Sequence, residues 1–528
     1  MNIVKNPVIK GFNPDPSIVR VNEDYYIATS TFEWFPGVSI YHSRDLEHWE
    51  LITNALSDDK AVDLTGIDSA CGIWAPNLTY NNGTFYLIYT IVYTNRSRFK
   101  DTHNFIITSK DIKGPWSKPI FLNCSGFDPS LFHDADGRKW IANMTIDHRI
   151  DKERFSGIVL QEYDTEKEKL VGPIHKIFNG TEIGSTEGPN IIKYNGYYYL
   201  TVAEGGTEFG HCVTIARSKN LTGNYEVDPN NPMLTSKSES NYPIQRAGHG
   251  QLVQDHKGNW YMSHLCSRPV DGYSILGRET AIQNIIYTDD GWFEIDGLNG
   301  NLPMDNFKTD LQGEIDNGLK NIREDFDKQK VSLDFLTLRK SFENSNMSLC
   351  ERKGYLRIKG GNSLSSKFNQ SFLARRQQSF SYECGVCIEF KPETHNHMAG
   401  LVCYYNYDNY HYCKISRDEI LGLSISITTL NNREVVETSC ISLPEDTSRF
   451  YIKACVNREN LRFSYSIDGE NYFELDCNLD MRILSDEHVN GNGFTGAMVG
   501  VACQDLLGNG VHADVDWFEY YEVTNAGV

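Results

Sequence analysis

Three acidic residues stand in turn-like settings of similar type: Asp15 in "NPDPS", Asp128 in "GFDPS" and Glu187 in "STEGPN". A carboxylate between prolines is held on a restricted backbone, because each ring locks its own φ and pushes the residue before it toward the extended region. Extended backbone is therefore expected at Asp15, with its side chain aimed. Two carboxylates facing one another across a pocket can cleave a glycosidic bond: one protonates the leaving oxygen, the other activates water or attacks the sugar carbon. A third beside them would raise its neighbour's pKa by like-charge repulsion and help keep the acid protonated near neutral pH. An isolated Asp-Pro is a common turn opener, so this chemistry depends on a fold that brings the three together.

An internal repeat supplies such a fold. The segments "DPSIVRVNEDYYIATS" from Asp15, "APNLTYNNGTFYLIYT" from Ala75, "DPSLFHDADGRKWIANM" from Asp128, "GPNIIKYNGYYYLTVA" from Gly188 and "HGQLVQDHKGNWYMSHL" from His249 share one pattern. A Pro or Gly start leads into a short apolar strand, a polar turn and an aromatic strand. Strand units that cannot bury their faces alone stack radially, so residues 1–320 read as a five-bladed β-propeller. The first strand of each blade lines the central channel, which makes Asp15, the Trp74/Ala75 pair, Asp128, the Glu187/Gly188 pair and His249 neighbours at one end. Trp74 and Phe127, and less directly Phe32 in "STFEWFPGV", could stack on a pyranose, or could be ordinary core. After "NLPMDNFKTDLQGE" the pattern stops, a charged stretch follows, and strand-like alternation runs to the end. Residues 325–528 read as a lectin-like β-sandwich, giving an all-β chain. With no low-complexity tract between the halves, they are expected to pack together.

A chain of 528 residues, 40% of them hydrophobic, is long enough for two cored units. The net charge of −20 argues against nucleic acid or an anionic membrane as partner. No run is long enough to span a bilayer, residues 1–20 carry no apolar core of signal-peptide length, and a cytoplasmic location is expected. The 13 cysteines fit reduced buried thiols better than a disulfide framework. Cys384 and Cys387 form a C-x-x-C, but within the alternating "YECGVCIEF" they fall on opposite faces of a strand.

The motifs "NPDPSIVR", "GIWAPNL", "GFDPSLFHDADGRKW", "STEGPNIIKYNGYYYL", "AEGGTEFGH" and "LGRETAIQ" resemble glycoside hydrolase family 43 in its β-xylosidase branch, through nearly the whole chain. The resemblance implies a propeller joined to a C-terminal sandwich, with Asp15 as general base, Glu187 as general acid and Asp128 orienting the acid and tuning its pKa. It also implies inversion at the anomeric carbon, Arg278 in "LGRET" on sugar hydroxyls, and Phe494 in "GNGFTGA" narrowing the pocket, although Phe494 could equally be sandwich core. His249 matches a channel histidine that in some relatives holds a calcium ion or a water cluster. "GHGQLVQ" departs from the usual "GHADLV", which puts that calcium in question, and no other cofactor is required. Asn77 stands where many relatives have histidine, beside Trp74, where it could alter sugar preference. The expected activity is release of xylose from non-reducing ends of β-1,4-xylooligosaccharides. The alternatives are an α-L-arabinofuranosidase, or an enzyme with both activities, and a non-catalytic carbohydrate-binding propeller. Relatives are often dimers or tetramers, so a homo-oligomer is expected.

Overall fold

Each repeat carries its own hairpin signal. "VNED", "NNGT" and "YNGY" place Asn22, Asn82 and Asn195 at positive φ in two-residue turns closed by the pairs Val21↔Asp24, Asn81↔Thr84 and Tyr194↔Tyr197. Such turns match the twist of the strands they join. In the computed structural model, which describes residues 2–59, 61–297, 300–312, 321–491 and 493–523, the repeats form the five antiparallel sheets of a propeller. The innermost strands are Ser17–Val21, Gly72–Asn81, Ser130–His133, Glu187–Tyr194 and Gln245–Gln254. Apolar residues of neighbouring blades interlock between the sheets, as where Ile18, Tyr25 and Ile27 of the first blade join Val253, Tyr261 and Ile282 of the fifth. The chain closes the ring by pairing Asn2–Lys5 with Asn306–Thr309, with Ile9 bridged to Thr280.

Residues from 322 onward build two further sheets, whose facing sides meet in a core that includes Val386, Leu401, Ile452, Phe463, Val501 and Phe518. This is the expected sandwich. Cys384 and Cys387 are both buried on its strand Ser381–Glu389, and burial raises both thiols above their ordinary range.

The halves pack together and share a sheet. Trp34–Phe35 of the first blade pairs with Phe335–Leu338 and becomes the edge strand of one sandwich sheet. The Trp34 indole is fully buried against Phe372 and Tyr404, each 5.9 Å away between ring centres. Two sandwich arginines reach into the propeller: Arg376 donates to the Phe12 carbonyl at 2.6 Å and Arg339 to the Ile67 carbonyl at 2.7 Å. Among the described residues, no helix is long and apolar enough to cross a membrane.

Candidate active site

Every blade enters its innermost strand through a residue in the left-handed region: Asp15 (φ 56°), Ala75 (φ 40°), Asp128 (φ 54°), Gly188 (φ 58°) and His249 (φ 53°). The extended backbone expected at Asp15 is therefore not what forms. Blade entry overrides the local preference of a residue before proline, at a cost of about 1–2 kcal/mol for each non-glycine. The alignment also separates the carboxylates. Asp15 and Asp128 occupy the entry position itself, whereas in the fourth blade that position is Gly188 and Glu187 precedes it. Glu187 is already in the ladder, opposite Ala203, and one extra residue is accommodated before pairing resumes at Asn190↔Thr201. Trp74 is placed the same way, opposite Thr90, with a matching bulge before Asn77. Bulges of this kind re-aim side chains, and here they turn Trp74 and Glu187 into the same pocket as Asp15 and Asp128.

The carboxylates sit in different fields. Burial alone would push Asp15 up, but the Arg278 guanidinium at 3.0 Å, the His249 ring at 3.6 Å and the Ser30 hydroxyl at 2.6 Å outweigh it and hold the carboxyl well below the usual range. Glu187 is buried without such partners; burial, with the charge of Asp128 added, pushes it up to about 8. Asp128 is pushed up to about 6 by burial, opposed by His249, and accepts the Gly188 N–H at 3.0 Å. Burial works against a charged His249, yet its pairing with Asp15 and the charges of Asp128 and Glu187 raise it to about 8. One pocket thus biases its carboxyls in opposite directions, Asp15 toward the ionised form and Glu187 toward the protonated one.

These groups line a pocket of 400 Å³, within the usual range for a small-molecule site. Phe32, Trp74, Phe127, Arg278 and Phe494 all lie in its wall, so each binding candidate read from the sequence is brought to the site. Trp74 is the hub, with Phe32, Phe127 and Phe494 at 5.6, 5.6 and 5.7 Å between ring centres. Phe494 is a pocket residue rather than sandwich core, and its carbonyl accepts from Arg278 at 3.0 Å. Sequence reading missed Asn95, Lys100, Arg154, Phe155 and Glu208, which also line the pocket. The Lys100 ammonium lies 4.6 Å from the Phe127 ring centre and 5.2 Å from that of Trp74, and burial lowers it to about 8 against the pull of Glu187.

Below the pocket, the residues two past each entry position form a ring around the propeller axis: Ser17, Asn77, Ser130, Asn190 and Gln251. Asn77 donates across this ring to Asn190 at 2.9 Å and accepts the Leu131 N–H at 2.9 Å. It braces three blades and does not face the pocket, so the expected influence on sugar preference finds no contact to act through. The ring encloses only about 10 Å³, room for a single water. A calcium ion wants six to eight free oxygen ligands. Here Gln251 Oε1 already accepts from Ile18 N–H and Asn190 from Asn77, so this donor set does not suit a resident calcium.

Comparison with known proteins agrees with this geometry. Residues 4–293 match the model of glycosyl hydrolases family 43, and residues 323–521 match the beta xylosidase C-terminal concanavalin A-like domain. A beta-xylosidase of Bacillus subtilis is 42% identical over 98% of this chain and 99% of its own. A non-reducing end alpha-L-arabinofuranosidase of Bacteroides ovatus is 33% identical over 98% of this chain and 94% of its own. The crystal structure of a xylan beta-1,4-xylosidase from Bacillus halodurans superposes with a TM-score of 0.96 at 46% identity, covering 98% of this chain and 100% of that one. With a family model matching more than half of its length and a relative 42% identical over nearly all of it, the chain belongs to glycosyl hydrolases family 43.

Proposed function

We propose that the protein is an exo-acting, inverting β-xylosidase that releases xylose from the non-reducing ends of β-1,4-xylooligosaccharides. The observation that carries this reading is the contrast between two carboxyls in one pocket: Asp15 held by Arg278, His249 and Ser30, which favour its ionised form, and Glu187 buried beside Asp128, which favours its protonated form. Asp15, kept ionised by Arg278 and His249, takes a proton from a water as that water attacks the anomeric carbon. Glu187, kept protonated by burial and Asp128, gives its proton to the departing oxygen. Inversion follows when water fits between base and sugar, which in such enzymes separates the carboxyls by roughly 6.5–9.5 Å. Asp128 stays beside the acid and sets its pKa. Trp74, Phe127 and Phe32 supply flat faces for the sugar ring, and Arg278 offers guanidinium protons to its hydroxyls. The small pocket, walled by Phe494 from the sandwich, favours a chain end over a chain interior.

The Bacteroides ovatus relative supports arabinofuranoside cleavage as a second activity of the same pocket. Specificity constants on xylobiose and on an aryl α-L-arabinofuranoside, measured side by side, decide between them: a clear preference for xylobiose is expected, and preference for the arabinofuranoside would overturn the assignment. Glu187→Ala is expected to lower kcat on xylobiose about 100-fold or more. Full turnover by this variant would overturn Glu187 as the acid, whereas a wild type that binds xylobiose without cleaving it would leave only a carbohydrate-binding propeller.

A further inference from the structure

Behind the acid and outside the pocket wall lies Glu204, a carboxylate with no exposed surface. The hydrogen bonds that reach it come from neutral donors. Its Oε1 accepts the Thr181 N–H at 2.8 Å and the Thr186 hydroxyl at 2.7 Å; its Oε2 accepts the Thr181 and Thr214 hydroxyls, each at 2.6 Å. Burying a carboxylate is costly unless its lone pairs are met, and four donors meet them here. Three of these four donors belong to one stretch of chain, and the fourth, Thr214, lies on the neighbouring strand Cys212–Ser218. Thr181 and Thr186 bracket the turn that leads into Glu187, and Thr186 is the residue before the acid. The same turn is tied once more by Gly205 N–H to the Gly184 carbonyl at 2.9 Å. There is no slack beside it: a Cβ on Gly180 would stand 2.1 Å from the Thr186 hydroxyl oxygen.

We propose that Glu204 is a positioning residue for the general acid. By gathering the hydroxyls of Thr181, Thr186 and Thr214, it fixes the entry to the fourth blade so that the Glu187 carboxyl meets the leaving oxygen. This inference rests on the assignment of Glu187 as acid. A displaced acid harms only substrates that need a proton: a sugar leaving group does, whereas an activated aryl group such as 2,4-dinitrophenolate departs without one. A general packing role would harm both alike.

The test is Glu204→Gln, which keeps the shape but turns one acceptor into a donor, measured on xylobiose and on 2,4-dinitrophenyl β-xyloside. The expected result is a fall in kcat on xylobiose of about 10- to 100-fold, the scale of a misplacement near 1 Å, with less than about a 3-fold change on the aryl substrate. Thr186→Val, which deletes a single donor at constant shape, is expected to show the same selectivity and decides the matter if Glu204→Gln does not fold. Equal loss on both substrates, or full activity on both, overturns the proposal. Glu187→Gln run alongside separates the two levels: if it too loses both activities equally, the acid assignment fails; if it is selective and the other variants are not, only the role of Glu204 fails.

Discussion

Glu187 stands at about 8 because it is buried and because Asp128 repels its ionised form, while Lys100 pulls the other way. In the proposed mechanism Glu187 acts in its protonated form, so activity should fall as pH rises through that value. Asp128→Asn removes the repelling charge, lowers the Glu187 pKa and moves this basic limb to lower pH, along with a loss of turnover. Lys100→Met removes the attracting charge and moves the limb to higher pH. The profile of kcat/KM against pH checks both, and shifts in the same direction would contradict this account. The three carboxylates were legible in the sequence because each stands at the start of a repeat or one residue before it. Lys100 was not: it sits in the irregular stretch "NRSRFKD", where no period says which way a side chain points.

At the scale of elements, two devices set the pocket. Blade entry through a left-handed residue is the first. Gly188 has φ 58°, and a Cβ there would lie 3.0 Å from the His249 ring. Gly188→Ala should therefore cost about 1–2 kcal/mol of stability for the backbone alone. It should also lower activity by pushing His249 away from Asp15; a variant melting and turning over like wild type would count against it. The second device is the sandwich loop that carries Phe494. Arg246 of the fifth blade pairs with Asp486 at 3.0 Å and Glu487 at 2.5 Å. Glu487 also accepts from Ser274, while Tyr405 donates to Asp486. Breaking this buried cluster with Arg246→Met should cost about 3–5 kcal/mol of stability. It should also raise KM for xylobiose more than it lowers kcat, because Phe494 is a wall and not a reacting group. Thermal melts and steady-state kinetics test the two parts separately. The hairpins were readable from their Asn and Gly turns, but the bulges that aim Trp74 and Glu187 were not, since a bulge is defined by the partner strand it fails to match.

The molecule as a whole behaves as one cored body. Phe12, Phe32, Trp34 and Trp74 of the propeller share a buried cluster with Leu336, Phe372, Tyr404 and Met498 of the sandwich. A chain ending at residue 320 would expose Trp34 and Phe35 and leave their strand pairing with Phe335–Leu338 unmade. Such a truncation is expected to aggregate or melt well below the full chain and to lose activity on xylobiose. A stable, fully active propeller would show that Phe494 and its loop are dispensable.

By itself the sequence determined the architecture and the identity of the three carboxylates, because both are written in a repeating local pattern that each blade obeys independently. Only the tertiary structure decided their protonation, which depends on charges arriving from other blades: Arg278 beside Asp15, and Asp128 and Lys100 about Glu187. It also decided that Phe494 lines the pocket and Asn77 faces the axis, that Asp15 is left-handed rather than extended, and that Glu204 stands behind Glu187. Each of these is a relation between residues far apart in the chain, and no local pattern encodes such a relation.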